Sequence, residues 1–163
     1  MRTDLTDNLE TFETALRLFL QTMKRPQSWL LITEKAGLDI DRPAATILMV
    51  LIAQESKQYR LHDLAEHLNI EAPSVTRKVQ QLEKAGLVAR NQDSQDKRAY
   101  DLQATKSGIE VAMKIRDAQR QITSQVFNNW TKQDRKAFVD LFERFCKGTA
   151  ELYGSKIDKT YSL

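Results

Sequence analysis

Apolar side chains at Leu5, Leu9, Phe12, Leu16, Phe19 and Met23 fall at spacings of 4, 3, 4, 3 and 4. This heptad-like stripe predicts one long helix with a single apolar face. Asn8, Glu10, Glu13, Arg17 and Gln21 supply its polar side. Pro26 ends the pattern, because its ring removes a backbone donor and crowds the preceding turn. Trp29 to Ala36 reads as a short second helix, with Gly37 as its left-handed C′ residue.

A third helix is expected to start at Asp41, an N-cap, with Pro43 in the first turn, where a missing N–H costs little. Ala44 to Ala53 is apolar except for Thr46, which implies burial on most sides. Gln54 to Gln58 reads as a polar loop. Leu61, Leu64, Ala65 and Leu68 then mark one face of a two-turn helix that Asn69 can close. After a short turn another helix begins near Pro73. It carries Ala72, Val75, Val79 and Leu82 on one face and ends at Gly86. Leu87–Gln92 and Ala99–Ala104 alternate as two short strands, joined by the polar hexapeptide from Asp93 to Arg98. Thr105 can cap a long helix to about Phe127, with a stripe of Ile109, Ala112, Ile115, Gln119, Ile122 and Val126. Thr131-Lys-Gln-Asp134 has the capping-box pattern. The helix it opens carries Phe138, Leu141, Phe142, Phe145, Thr149 and Leu152. The polar tail 154–163 is expected to fray.

The fold class is therefore mainly α with one small β element. At 163 residues, a single domain is expected, and only 5 Gly and 3 Pro argue against an all-β or low-complexity chain. The mean hydropathy is −0.52, and no apolar run nears the roughly 18–20 residues that cross a bilayer. No signal-like segment opens the chain, and its single cysteine, Cys146, cannot form an intrachain disulfide. These features predict a cytoplasmic protein without a membrane partner.

A net charge of +3 is too weak to argue for a nucleic-acid partner by itself. Its distribution is more telling. Between Ala72 and Arg98, Arg77, Lys78, Lys84, Arg90, Lys97 and Arg98 face only Glu83, Asp93 and Asp96. The two short helices make a helix-turn-helix, and the basic hairpin after them makes it winged. With Val75, Val79 and Leu82 inward, the opposite arc holds Ser74, Arg77, Gln80, Gln81 and Lys84. Hydroxyl, amide and guanidinium groups are the types that reach base edges and phosphates in a major groove. Lys97 and Arg98 at the hairpin tip can reach phosphate or a minor groove.

Leu64-Ala65-Glu66-His67-Leu68, Pro73-Ser74-Val75-Thr76-Arg77, Leu82-Glu83-x-x-Gly86-Leu87-Val88-x-Arg90, Asp96-Lys97-Arg98 and Thr105-x-x-Gly108 occur in one order and spacing. Together they resemble MarR/SlyA-type regulators over residues 5–153. Ala104 departs from the leucine usual before the threonine. The resemblance implies a homodimer joined through helices within 5–36 and 105–153, with a winged helix-turn-helix lobe at 40–104. It implies a double-stranded, pseudo-palindromic DNA operator, most often repressed. It also implies a small aromatic or lipophilic effector between the lobe and the dimer helices. Position by position, Pro73, Ser74, Thr76 and Arg77 match the DNA-contacting stretch, Arg98 the wing arginine, and Asp96 the acid that holds it. Gln81 and Lys97 join this set from their own positions on the helix arc and the hairpin tip.

Plainer readings stand beside these. Arg77 and Lys78 could be a solvated helix face, and Asp96–Arg98 an exposed hairpin ion pair of little energetic worth. Trp29 and Met113 could line an effector pocket or simply pack in a core or interface. Cys146 is expected to be a partly buried structural thiol. His62 and His67 lie about 140° apart on a helical wheel, which does not suit a shared metal, and no metal or cofactor is expected. No phosphate-loop or dinucleotide motif occurs, so no enzyme is expected. The competing function is a winged helix used only for protein–protein contact, which an acidic or apolar recognition helix would favour.

Overall fold

In the computed structural model, residues 2–53, 59–92 and 100–153 are described. The first apolar stripe forms one helix, α1 (Arg2–Lys24), and Pro26 opens α2 (Pro26–Ala36). Ser28 Oγ donates to the carbonyls of Met23 (2.9 Å) and Arg25 (2.7 Å), which ties the break between them. Gly37 closes α2 at φ 65°, and Leu38 N–H bonds the Thr33 carbonyl at 3.0 Å, a Schellman ending. These helices form one compact unit that ends at Asp39; a second unit starts at Ile40. Within the first, Leu9, Phe12, Phe19 and Met23 remain exposed and Leu16 half-buried.

The second unit opens with α3 (Arg42–Ala53), where Asp41 Oδ1 accepts from Ala44 N–H at 2.9 Å as the expected N-cap. Ala44, Ala45, Ile47, Leu48, Val50 and Leu51 are buried, which accounts for the almost unbroken apolar run. α4 (Leu61–Leu68) ends at Asn69, whose φ of 52° is the expected left-handed cap. α5 (Ala72–Lys84) buries Val75, Val79 and Leu82 against α3 and α4. Strands β1 (Val88–Gln92) and β2 (Tyr100–Ala104) pair antiparallel, from Val88 opposite Ala104 to Gln92 opposite Tyr100. The chain is thus mainly α with a two-stranded wing.

Two expectations are corrected here, and one residue without an expectation joins the wing. Tyr59, assigned to no element from sequence, is fully buried and accepts from Leu102 N–H at 2.8 Å, so it adds a third short edge to the wing. On α6 (Lys106–Val126) the expected stripe divides. Gly108, Ala112, Ile115 and Ala118 are buried, while Ile109, Gln119 and Val126 are exposed. Where α6 meets α3 it presents Gly108 and Ala112, so the helices approach closely without a large side chain to announce it. Finally, Cys146 on α7 (Lys132–Leu152) is exposed rather than partly buried, because no described residue of α7 is buried. The predicted loop at 54–58 and the tail 154–163 lie outside the described residues.

Both long helices start at the expected threonines. Thr105 Oγ1 accepts from Gly108 N–H at 3.1 Å and donates to the Gly86 carbonyl at 2.7 Å. Thr131 Oγ1 accepts from Asp134 N–H at 3.1 Å. The turn between α6 and α7 is packed by aromatic edges: Phe127 against Trp130 (5.1 Å) and Trp130 against Phe138 (5.3 Å between centroids). No helix among the described residues is long and apolar enough to cross a membrane.

Gly108 explains the glycine three residues after the capping threonine. A Cβ there would sit 2.0 Å from the Leu87 carbonyl oxygen and 3.3 Å from Leu48 Cδ2. Backbone cannot rotate away as a side chain can. Gly108→Ala should therefore lower stability by about 1–3 kcal/mol or more through overpacking. A chemical-denaturation midpoint equal to the parent's would contradict this packing.

Candidate nucleic-acid interface

The exposed side of α5 is prepared by the turn before it. Asn69 N–H bonds the Glu66 carbonyl and Ile70 N–H the Ala65 carbonyl, each at 3.1 Å, so α4 stops abruptly. Pro73 sits in the first turn of α5, where its ring fits the helical φ. Burial of Val75, Val79 and Leu82 then turns the other arc outward. Pro73, Arg77, Gln80, Gln81 and Lys84 are exposed; Ser74, Thr76 and Lys78 are half-buried. Thr76 Oγ1 donates to the Ala72 carbonyl at 2.8 Å, so its hydroxyl proton is used within the helix.

Of the predicted residues, the structure thus brings Pro73, Ser74, Thr76, Arg77 and Gln81 onto one short helix. Asp96, Lys97 and Arg98 lie outside the described residues. The wing's base is firmly tied. Glu83 and Arg90 pair at 2.7 Å between α5 and β1, and Leu87 N–H bonds the Leu82 carbonyl at 2.9 Å. Asn91 Nδ2 donates across the strands to Gln103 Oε1 at 2.7 Å.

Lys78 is not a plain solvated cation. Its Nζ donates to Asp41 Oδ2 at the start of α3 and to Gln81 Oε1 at 3.0 Å. Burial pushes the Asp41 carboxyl up, but hydrogen bonds from Lys78 and the Ala44 amide, with the Lys78 charge, hold it below its ordinary value. Because the folded value is lowered, this contribution to stability is complete above the unfolded carboxylate pKa near about 3.9. It is lost as pH falls through the lowered value. Sequence reasoning missed this link because Asp41 and Lys78 are 37 residues apart and nothing local marks the pair.

The remaining candidates are scattered. His62 pairs with Glu66 at 3.1 Å, and His67 lies edge-on to Tyr59 at 5.7 Å. Trp29 is half-buried on α2, and Met113 is exposed on α6. A groove of about 550 Å³ opens beside the α6–α7 turn between Arg116, Arg120, Phe127 and Arg135, and neither Trp29 nor Met113 lines it.

Residues 40–100, which hold α3, the helix-turn-helix and the wing, match the family model described as "MarR family". Among solved structures, the chain is similar to a MarR family protein from Bacillus stearothermophilus, with a TM-score of 0.77 and 16% identity. That match covers 89% of this chain and 97% of the other. The transcriptional regulator Tm0710 from Thermotoga maritima matches with a TM-score of 0.65 and 24% identity, over 90% and 99% of the two chains. A mutant of S. aureus MepR bound to an oligodeoxyribonucleotide matches with a TM-score of 0.62 and 20% identity, over 85% and 97%.

Proposed function

Because the chain carries a MarR family domain over residues 40–100, we propose that it is a transcriptional regulator that reads double-stranded DNA by sequence. In this reading a homodimer binds a pseudo-palindromic operator and represses until a small aromatic or lipophilic effector binds. The observation that carries it is the outer arc of α5. Arg77, Gln80, Gln81 and Lys84 are exposed on a helix whose other face is locked into the core. Such an arc is neither acidic nor apolar, which disfavours a purely protein-binding role. An oligodeoxyribonucleotide-bound relative with the same fold supports the assignment.

Pro73, Ser74, Thr76, Arg77 and Gln81 would contact bases and phosphates, with Arg77 placed to grip guanine bidentately. Lys97 and Arg98 would extend the contact from the wing, with Asp96 holding Arg98. The apolar faces left exposed on α1, α6 and α7 support the dimer, since patches of that extent are unusual on a monomer.

Selection from a random duplex pool tests the proposal. It should enrich two inverted half-sites about 10–10.5 base pairs apart, centre to centre, or a multiple of that. Failure to enrich any sequence would remove the DNA-reading assignment. Arg98→Ala should weaken all duplexes about evenly and lower the salt slope by about 2, one for each protomer's lost contact. A loss confined to one base position would instead make Arg98 a base reader.

A further inference from the structure

Arg116, Arg120, Thr123 and Phe127 follow one another at spacings of 4, 3 and 4, so they share one face at the C-terminal end of α6. Arg135 joins them from α7, across the turn, to line the groove of about 550 Å³. That size lies within the roughly 300–1,000 Å³ of small-molecule sites. The lobe is not part of it: α6 meets α3 nearer its start, at Gly108 and Ala112.

Three guanidinium groups line this groove, and among the described residues no carboxylate does. Like charges at i and i+4 on a helix, as at Arg116 and Arg120, repel. Nearby groups offset little of this. Arg120 reaches Asp117 at 4.0 Å, with both side chains largely exposed. Arg135 donates to the Phe127 carbonyl at 3.5 Å, the limit of a hydrogen bond. Arg116 Nε is buried and has no hydrogen-bond partner among the described residues. A buried unpaired N–H is costly, and one that persists calls for a partner from outside the chain. The surrounding charge sets the sign of that partner. An anion gives the Arg116 guanidinium an acceptor and offsets the repulsion between the three cations. Carboxylate and phosphate groups also match the fork of a guanidinium, which takes either one bidentately.

The groove has an apolar wall as well. Phe127 is held edge-on by Trp130 at 5.1 Å and Phe138 at 5.9 Å between centroids. We propose that the α6–α7 groove is a binding site for a small organic anion, whose carboxylate or phosphate pairs with the three arginines and whose apolar body lies on Phe127. The proposal is independent of the DNA-reading assignment. A carboxylate from a second copy of the chain is disfavoured as the occupant, because the faces assigned to the dimer are apolar, at Leu141, Phe142 and Phe145, and this wall is ionic.

The test is a calorimetric titration of the full-length protein, without DNA, using hexanoate, hexyl phosphate, inorganic phosphate and hexanol. At least one of the two hexyl anions should bind at one site per chain, and the tighter of them identifies the headgroup. Hexanol and inorganic phosphate should each bind at least about 10-fold more weakly, since each lacks one half of the ligand. Arg116→Gln and Arg135→Gln should each weaken the anion by about 10- to 150-fold, the worth of a hydrogen bond to a charged group. Lys114→Gln, which removes an exposed cation of α6 outside the groove, should leave binding unchanged. Binding of neither hexyl anion would overturn the proposal. So would equal binding of hexanol, which would place the probe on the exposed apolar faces, or equal losses in Lys114→Gln and the arginine variants, which would indicate a general field of cations. Arginine variants that weaken self-association of the ligand-free protein would assign the groove to a second copy and overturn the proposal in the same way.

Discussion

Raising salt from 50 to 200 mM should weaken operator binding by about 10³–10⁵, if about 6–10 phosphates are contacted per dimer. The size follows from counterion release, which depends on how many phosphates the protein neutralises and not on which bases it reads. Within each protomer the cations offered by this reading are the exposed Arg77 and Lys84 on the outer arc of α5, with Lys97 and Arg98 expected from the sequence at the hairpin tip. Lys78 is largely spoken for by Asp41 and adds little. Two protomers double the set, so a steep slope needs both halves of the dimer on DNA. Titrations of a labelled operator at several salt concentrations give the slope directly. A flat response would favour the protein–protein use of the winged helix.

The second large effect concerns the helices outside the lobe. Phe138, Leu141, Phe142 and Phe145 recur along α7 and all are exposed in the single chain, as are Leu9, Phe12, Phe19 and Met23 on α1. The proposed homodimer buries such faces. Leu141→Asp would place a charge there with no partner, and an unpaired buried carboxylate costs several kcal/mol. Self-association should weaken at least about 100-fold, and operator affinity should fall with it as the two half-sites uncouple. Sedimentation at micromolar concentration should show a dimer for the parent and lighter or aggregated species for Leu141→Asp. A parent that sediments as a stable folded monomer would sink the dimer assignment. Thr131 and the packed aromatics at the α6–α7 turn are within one chain, so they should keep the helix pair in place in either case.

Much of this architecture was legible because its signals are local. Asp41, Thr105 and Thr131 cap helices through their own side chains, and Gly37 and Asn69 take the left-handed conformation that only a few residue types adopt readily. The inward face of α5 was readable because Val75, Val79 and Leu82 are large, apolar and regularly spaced. The errors have a common physical origin in contacts between distant segments. Tyr59 stands alone beside a polar stretch, and only Leu102, far along the chain, makes it part of the wing. α6 has two apolar faces, and the more conspicuous one, with Ile109 and Val126, is not the one the lobe buries. Packing against α3 selected the face with Gly108 and Ala112, where small side chains let two helices approach. At the candidate site, the outward residues of α5 could be named from the wheel. The Asp41–Lys78–Gln81 contacts could not, because a lysine on a solvated-looking arc carries no mark of its partner. Asp96, Lys97 and Arg98 still rest on the hairpin's sequence and its resemblance to the family.

Arg77 lies in the middle of the outer face of α5, the face proposed to read bases. The direct measurement is a binding titration of Arg77→Ala and the parent against the selected operator and each of its single-base-pair variants, at one fixed salt concentration. Arg77 is exposed and away from the buried face of α5, so the variant should remain folded and dimeric. Affinity for the selected site should fall by about 1–3 kcal/mol per half-site, and discrimination should disappear at one base pair of each half-site while surviving at the others. An Arg77→Ala protein that binds the selected operator as tightly as the parent, with the same preference at every position, would contradict the assignment of α5 as the recognition helix.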